Sequence, residues 1–156
     1  MPSLNKYTGP WTDWHAAHLL RRTTYGVKYE TIKQYGSRTL DETVDTLLTQ
    51  LNPPPPPVNI SYADDPDVPI GQTWVDKPAA QGVNGYRNAS LRGWSLDLMA
   101  NGAPNIREKM TMFWHNHFVT ADINDPRFTY KYIELLRSYA LGNFKQLTKD
   151  ITIDPA

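Results

Sequence analysis

Apolar residues along this chain recur mainly at helical spacing. The clearest run is Leu40, Val44, Leu47, Leu48 and Leu51, which predicts an amphipathic helix over residues 40–51. Thr39, with Glu42 three positions later, has the form of a capping box at its start. Upstream, Thr12 or Asp13 can open a helix over 12–22, on which Trp11, Trp14, His15, His18 and Leu19 share one broad face. Gly26 is a plausible stop for it, and a short helix over 28–35 follows before Gly36. Downstream, Leu91, Trp94, Ser95, Leu98 and Met99 line one face of a helix running from near residue 86 to near residue 100. Asn105 and Glu108 offer a second capping box for a helix over 106–118. Pro126 suits the first turn of a helix carrying Phe128, Tyr132, Leu135, Leu136 and Tyr139. Gly142 ends it, and "NFKQLTKDIT" starts another.

Residues 52–84 break this pattern. Five consecutive prolines, Pro53 to Pro57, remove backbone donors and impose extended geometry. The stretch after them has no consistent period, though 58–62 or 73–75 can form short strands. A loop of this length is usually functional or mobile. The proline run suits a rigid spacer, or a segment docked on an aromatic groove. The pattern as a whole predicts an all-α, bundle-like domain of six or seven helices over residues 1–156, interrupted by one proline-rich excursion.

Composition narrows the function classes. Lys+Arg and Asp+Glu both number 16, so the basic excess of a general nucleic-acid binder is missing. There is no cysteine, which excludes disulfides, thiol chemistry and Cys-ligated zinc. No apolar run approaches the roughly 20 residues of a membrane span, and the N-terminus lacks the apolar core of a secretory signal. A soluble protein without membrane span or nucleic-acid partner is the expectation.

Four histidines stand in two aromatic settings, "WTDWHAAHLLRR" and "MTMFWHNHFVT". On a regular helix Ile106, Met110, Phe113 and His117 form one apolar stripe, so His117 is expected to face the core. His115 then lies about 200° away, roughly in line with Glu108. If the helix ends near Trp114 instead, both imidazoles point the same way. His15 and His18 lie about 60° apart, a spacing at which two imidazoles can hold one ion. With His117 and a carboxylate from Glu108, Asp122 or Asp125, such a set would suit zinc, iron, nickel or copper. Arg21 and Arg22 end the first helix, where cations favour the dipole. Their sharper role is to clamp an anionic ligand or cofactor. Arg107, Glu108 and Lys109 read as a solvated helix start.

The segments "WHAAHLLRRTTYG", "IREKMTMFWHNHFVT" and "LLRSYALGNFKQLTKDITIDPA" resemble the bacterial family catalogued as domain of unknown function 1800. His18, Arg21, Arg22, Arg107, Glu108, Lys109, His115 and His117 match its pattern, Tyr25 replaces a usual Phe, and His15 is not part of it. The resemblance implies a longer protein, of which this chain is an N-terminal portion. A later acidic segment of that protein would supply carboxylate partners for His18, His115 and His117. It also implies relatives that often look exported, and no established activity.

Two readings stay open. In the first, a metal-dependent enzyme or metal-binding protein uses His18 and His117 as ligands. His115 is then a ligand or general base, and Glu108 an acid–base or supporting group. In the second, a non-catalytic helical module binds a protein partner or the remainder of its own chain, and the histidines belong to the core.

Overall fold

These periodicities become seven α-helices in the computed structural model, which describes residues 5–121 and 123–155. In chain order they are α1 (Asp13–Thr23), α2 (Tyr29–Gly36), α3 (Leu40–Leu48), α4 (Asn84–Asn101), α5 (Arg107–His117), α6 (Pro126–Ser138) and α7 (Phe144–Ile151). Among the described residues there is no strand, and Val58 and Thr73 form one isolated antiparallel bridge. The fold is all-α, as the spacing predicts. No helix among the described residues is long and apolar enough to cross a membrane.

Local chemistry explains most of the boundaries. The α3 capping box forms: Thr39 Oγ1 accepts from Glu42 N at 3.2 Å, and Glu42 Oε2 accepts from Thr39 N at 2.8 Å. Pro126 opens α6, and Asp125 Oδ1 accepts from Arg127 N at 3.0 Å. The box expected at α5 does not form. Asn105 Oδ1 accepts from Arg107 N at 2.9 Å, but Glu108 turns away to a buried arginine, Arg137. A buried guanidinium without a counter-charge costs more than an incomplete cap, so the ion pair wins.

Three apolar clusters hold the helices. Ala16, Leu20, Ile32, Tyr35 and Leu47 join α1, α2 and α3. Gly36 lets α2 approach α1 closely, because a Cβ there would lie 2.0 Å from Asp13 Oδ1. Tyr132, Leu136 and Leu147 join α6 to α7, with Trp114 and Phe118 packed against them. The third cluster is Val68, Trp74, Val75 and Leu91, which fastens the excursion to α4.

The excursion is irregular, but it is packed rather than a free spacer. Trp74 is fully buried, and its Nε1 donates to Ser90 Oγ at 3.1 Å. Ser90 Oγ in turn donates to Val58 O at 2.6 Å. The polyproline run docks on α4, where Trp94 Nε1 donates to Pro55 O at 2.8 Å. Neither expected strand forms beyond the single bridge, because side chains take up the backbone groups: Asn59 Nδ2 donates to Tyr62 O and Val68 O, both at 2.7 Å.

The strongest clamp is ionic. Arg87 on α4 donates to both oxygens of Asp65, from Nε at 2.9 Å and from Nη2 at 3.0 Å. The side chains are 3% and 2% exposed, so water screens neither. The hydrogen bonds from Arg87 hold the Asp65 carboxyl below its ordinary value, against the effect of burial. Stability from this pair is therefore full above the ordinary aspartate value and is lost as pH falls through the lower folded one. Asp65→Asn leaves Arg87 buried without its counter-charge. Urea unfolding at neutral pH is expected to lose about 3–5 kcal/mol. The loss of stability on acidification below 3.8 is expected to flatten in the variant. A variant as stable as the parent at neutral pH would contradict the clamp.

Candidate functional site

The segment "REKM" opens α5, and its first three side chains leave in three directions. Arg107 Nη1 donates to Leu51 O at 3.0 Å and Asn52 O at 2.9 Å, tying α5 to the chain beyond α3. The Lys109 ammonium sits 4.3 Å from the centre of the Tyr25 ring, next to the end of α1. Glu108 faces α6 and accepts from Arg137 Nε at 3.1 Å and Nη2 at 3.0 Å. Arg137 Nη1 donates to Glu134, and the guanidinium lies 4.7 Å from the Trp94 ring centre on α4. Arg137 is 4% exposed and Glu108 15%. This start is therefore half-buried and paired, which corrects the expectation of a solvated one. Burial disfavours the charged form of Arg137, but the hydrogen bonds and charge of Glu108, with Glu134 behind it, outweigh that and raise its pKa.

The pair also decides which face of α5 turns inward. The expected inward stripe of Ile106, Met110, Phe113 and His117 holds only in part: Ile106 and Met110 are half-buried, but Phe113 is 54% exposed and His117 is exposed. The inward face instead carries Glu108, Thr111, Met112 and His115. This rotation of α5 brings Glu108 to Arg137 as a second carboxylate beside Glu134. Thr111 is buried without penalty, because its Oγ1 donates to Arg107 O at 2.9 Å. His117 stacks on Phe113 with ring centres 6.4 Å apart and meets Phe118 edge-on at 4.7 Å.

A half-open cavity of about 530 Å³ lies between α4, α5 and α6. Leu91, Leu96 and Met99 from α4, Met112 from α5 and Ile133 from α6 make its wall mainly apolar. Its polar groups include His115, Thr111, Ser95, the Glu108–Arg137 pair and Arg92. The volume falls in the range of roughly 300–1,000 Å³ typical of small-molecule sites. Of the residues singled out from sequence, His115 and Glu108 meet here.

The others do not join them on this wall. His18 lies on the exposed side of α1, stacked on Trp14 with ring centres 6.0 Å apart. His15 shares hydrogen bonds with Tyr7 Oη at 3.2 Å and Thr12 Oγ1 at 2.8 Å, so both ring nitrogens are occupied. Arg21 and Arg22 project into solvent from the last turn of α1. Asp125 caps α6 and pairs with Arg127, whose hydrogen bonds hold its carboxyl below the ordinary value against burial. Asp122 lies outside the described residues. Among the described residues no three His, Asp or Glu side chains come together as a metal-binding group.

Sequence reasoning missed Arg92 and Arg137. Arg137 was visible in principle: it follows Tyr130 and Ile133 at i+7 and i+4, on a semi-buried stripe. A cation on such a stripe calls for a carboxylate from a neighbouring helix.

A double-mutant cycle tests the pair. Glu108→Gln and Arg137→Met are each expected to destabilise the fold. The double variant should lose less than their sum, with a coupling of about 0.5–3 kcal/mol in urea unfolding. Strict additivity would contradict the pairing.

The model of the family described as Protein of unknown function (DUF1800) matches residues 18–156. No curated protein and no solved structure matches the chain. The matched span begins at His18 and contains α5, the cavity wall and the Glu108–Arg137 pair. The chain belongs to the family described as Protein of unknown function (DUF1800).

Proposed function

We propose that this domain binds a small, largely apolar molecule in the cavity between α4, α5 and α6. The observation that carries the proposal is an apolar hollow of about 530 Å³ with a few polar groups fixed on its wall. Burial of the ligand against Leu91, Met99, Met112 and Ile133 supplies the affinity, at roughly 25 cal/mol per Å² of apolar surface. His115 supplies direction, since an imidazole can donate or accept a hydrogen bond. Glu108 has both oxygens engaged by Arg137 and serves to position the wall.

The two residues placed together by the sequence thus take different roles. The hydrogen bond to a bound molecule falls to His115, and support of the wall falls to Glu108. A transition metal on His18 and His117 stands outside this proposal. It would need ligands beyond those that the described residues bring together.

The test uses N-phenylnaphthylamine, a neutral probe whose fluorescence rises in apolar surroundings. Saturable binding is expected for the parent protein. Ser95 lies half-buried on the α4 wall, so Ser95→Trp places an indole in the hollow. The variant should keep its helical circular dichroism and bind the probe about tenfold more weakly, or less, a change of roughly 1.4 kcal/mol. Undiminished binding by the folded variant would sink the proposal.

A further inference from the structure

We infer that the ligand of this cavity is an amphipathic monocarboxylate, an apolar body ending in one carboxylate, and that Arg92 receives the carboxylate. The inference rests on the cavity being a ligand site, as proposed above.

It starts from a charge count. Arg107, Glu108, Glu134 and Arg137 form one cluster of two cations and two anions, linked by contacts such as Arg107 Nε to Glu108 Oε1 at 3.5 Å and Arg137 Nη2 to Glu108 Oε2 at 3.0 Å. That cluster closes neutral. Arg92 is left over. It lines the cavity from α4 and is exposed, and its side chain makes no hydrogen bond or ion pair among the described residues. An arginine on a helix surface is usually just solvated. This one stands on the same helix face as Ser95, Leu96 and Met99, at the edge of an apolar hollow.

The helix directions order the polar groups along the cavity. Asn84 at the start of α4 donates to Asn124 O at 3.0 Å, just before α6, so α4 and α6 start at the same end. Glu108 at the start of α5 meets Arg137 near the end of α6, so α5 runs the other way. His115, near the end of α5, therefore lies toward the start of α6, with its ring 6.2 Å from that of Tyr132. Arg92 stands at the middle of α4, two residues before the Trp94 that covers Arg137, and lines the cavity there. A carboxylate at this point meets a guanidinium able to bind it through two parallel hydrogen bonds. The rest of the molecule lies along apolar side chains. Leu96 lines this cavity yet is 65% exposed, apolar surface that a ligand would cover.

Other ligand charges fit less well. A cation would face Arg92, and the Glu108 oxygens are already engaged. A second carboxylate would lie against the apolar wall, where an unpaired charge is costly.

Calorimetric titration with decanoate and with decanol, both below their aggregation range, reads this out as a ratio. The parent protein should bind decanoate about tenfold more tightly than decanol, the scale of one charge-assisted contact. Arg92→Met should bring the ratio close to one. Lys131→Met, which removes an exposed cation of α6 away from the cavity wall, should leave it unchanged. Equal affinities in the parent protein, or a preference kept by Arg92→Met, would overturn the inference while the cavity stands as a binding site. Binding of neither compound, together with failure of the neutral fluorescent probe, would overturn the cavity itself.

Discussion

The buried guanidinium of Arg137 is the constraint around which the second half of this structure is arranged. A cation that is 4% exposed has lost its water and must be given carboxylates. Glu134 comes from its own helix, one turn earlier, and Glu108 comes from α5. Trp94 of α4 closes the remaining face of the guanidinium. One side chain thereby fixes three helices relative to one another. The rotation of α5 fits it, with Phe113 and His117 turned outward and Thr111, Met112 and His115 turned in. The cavity is the space left between helices held apart at one end by this pair.

A second buried pair does similar work on the other side of α4. Arg87 and Asp65 fasten an irregular segment that has few backbone hydrogen bonds of its own. Trp74 and Val68 add apolar burial beneath the clamp. The long proline-rich stretch thus becomes a cover for α4, and the opposite face of α4 stays available to the cavity. Both devices place arginines on α4 or α6 and carboxylates on the neighbouring element, so local sequence periodicity does not announce them.

That difference explains what could be read in advance. Helix positions were legible because capping residues, Gly36, Pro126 and leucine spacing are local signals. The all-α class followed from them. The inward face of α5 was not legible from α5 alone. Its apolar residues point to one face, and its true inward face is decided by Arg137, 29 positions beyond Glu108. For the same reason His115 and Glu108 could be named as chemistry-bearing residues, yet the arginine that sets Glu108's role could not be assigned to it. His18 and His117 drew attention through their aromatic neighbours, and in the structure those neighbours are what they stack on.

The central claim is that the wall held by Arg137 and Glu108 encloses a binding site. The methionines offer an internal comparison, since Met99 and Met112 line the cavity whereas Met110, on the same helix as Met112, does not. Protein labelled at the methionine methyl groups can be followed by NMR during addition of decanol. The account predicts saturable shifts of the Met99 and Met112 methyls with the Met110 signal unmoved. Saturation with Met99 and Met112 unmoved, or shifts centred on Met110, would contradict it.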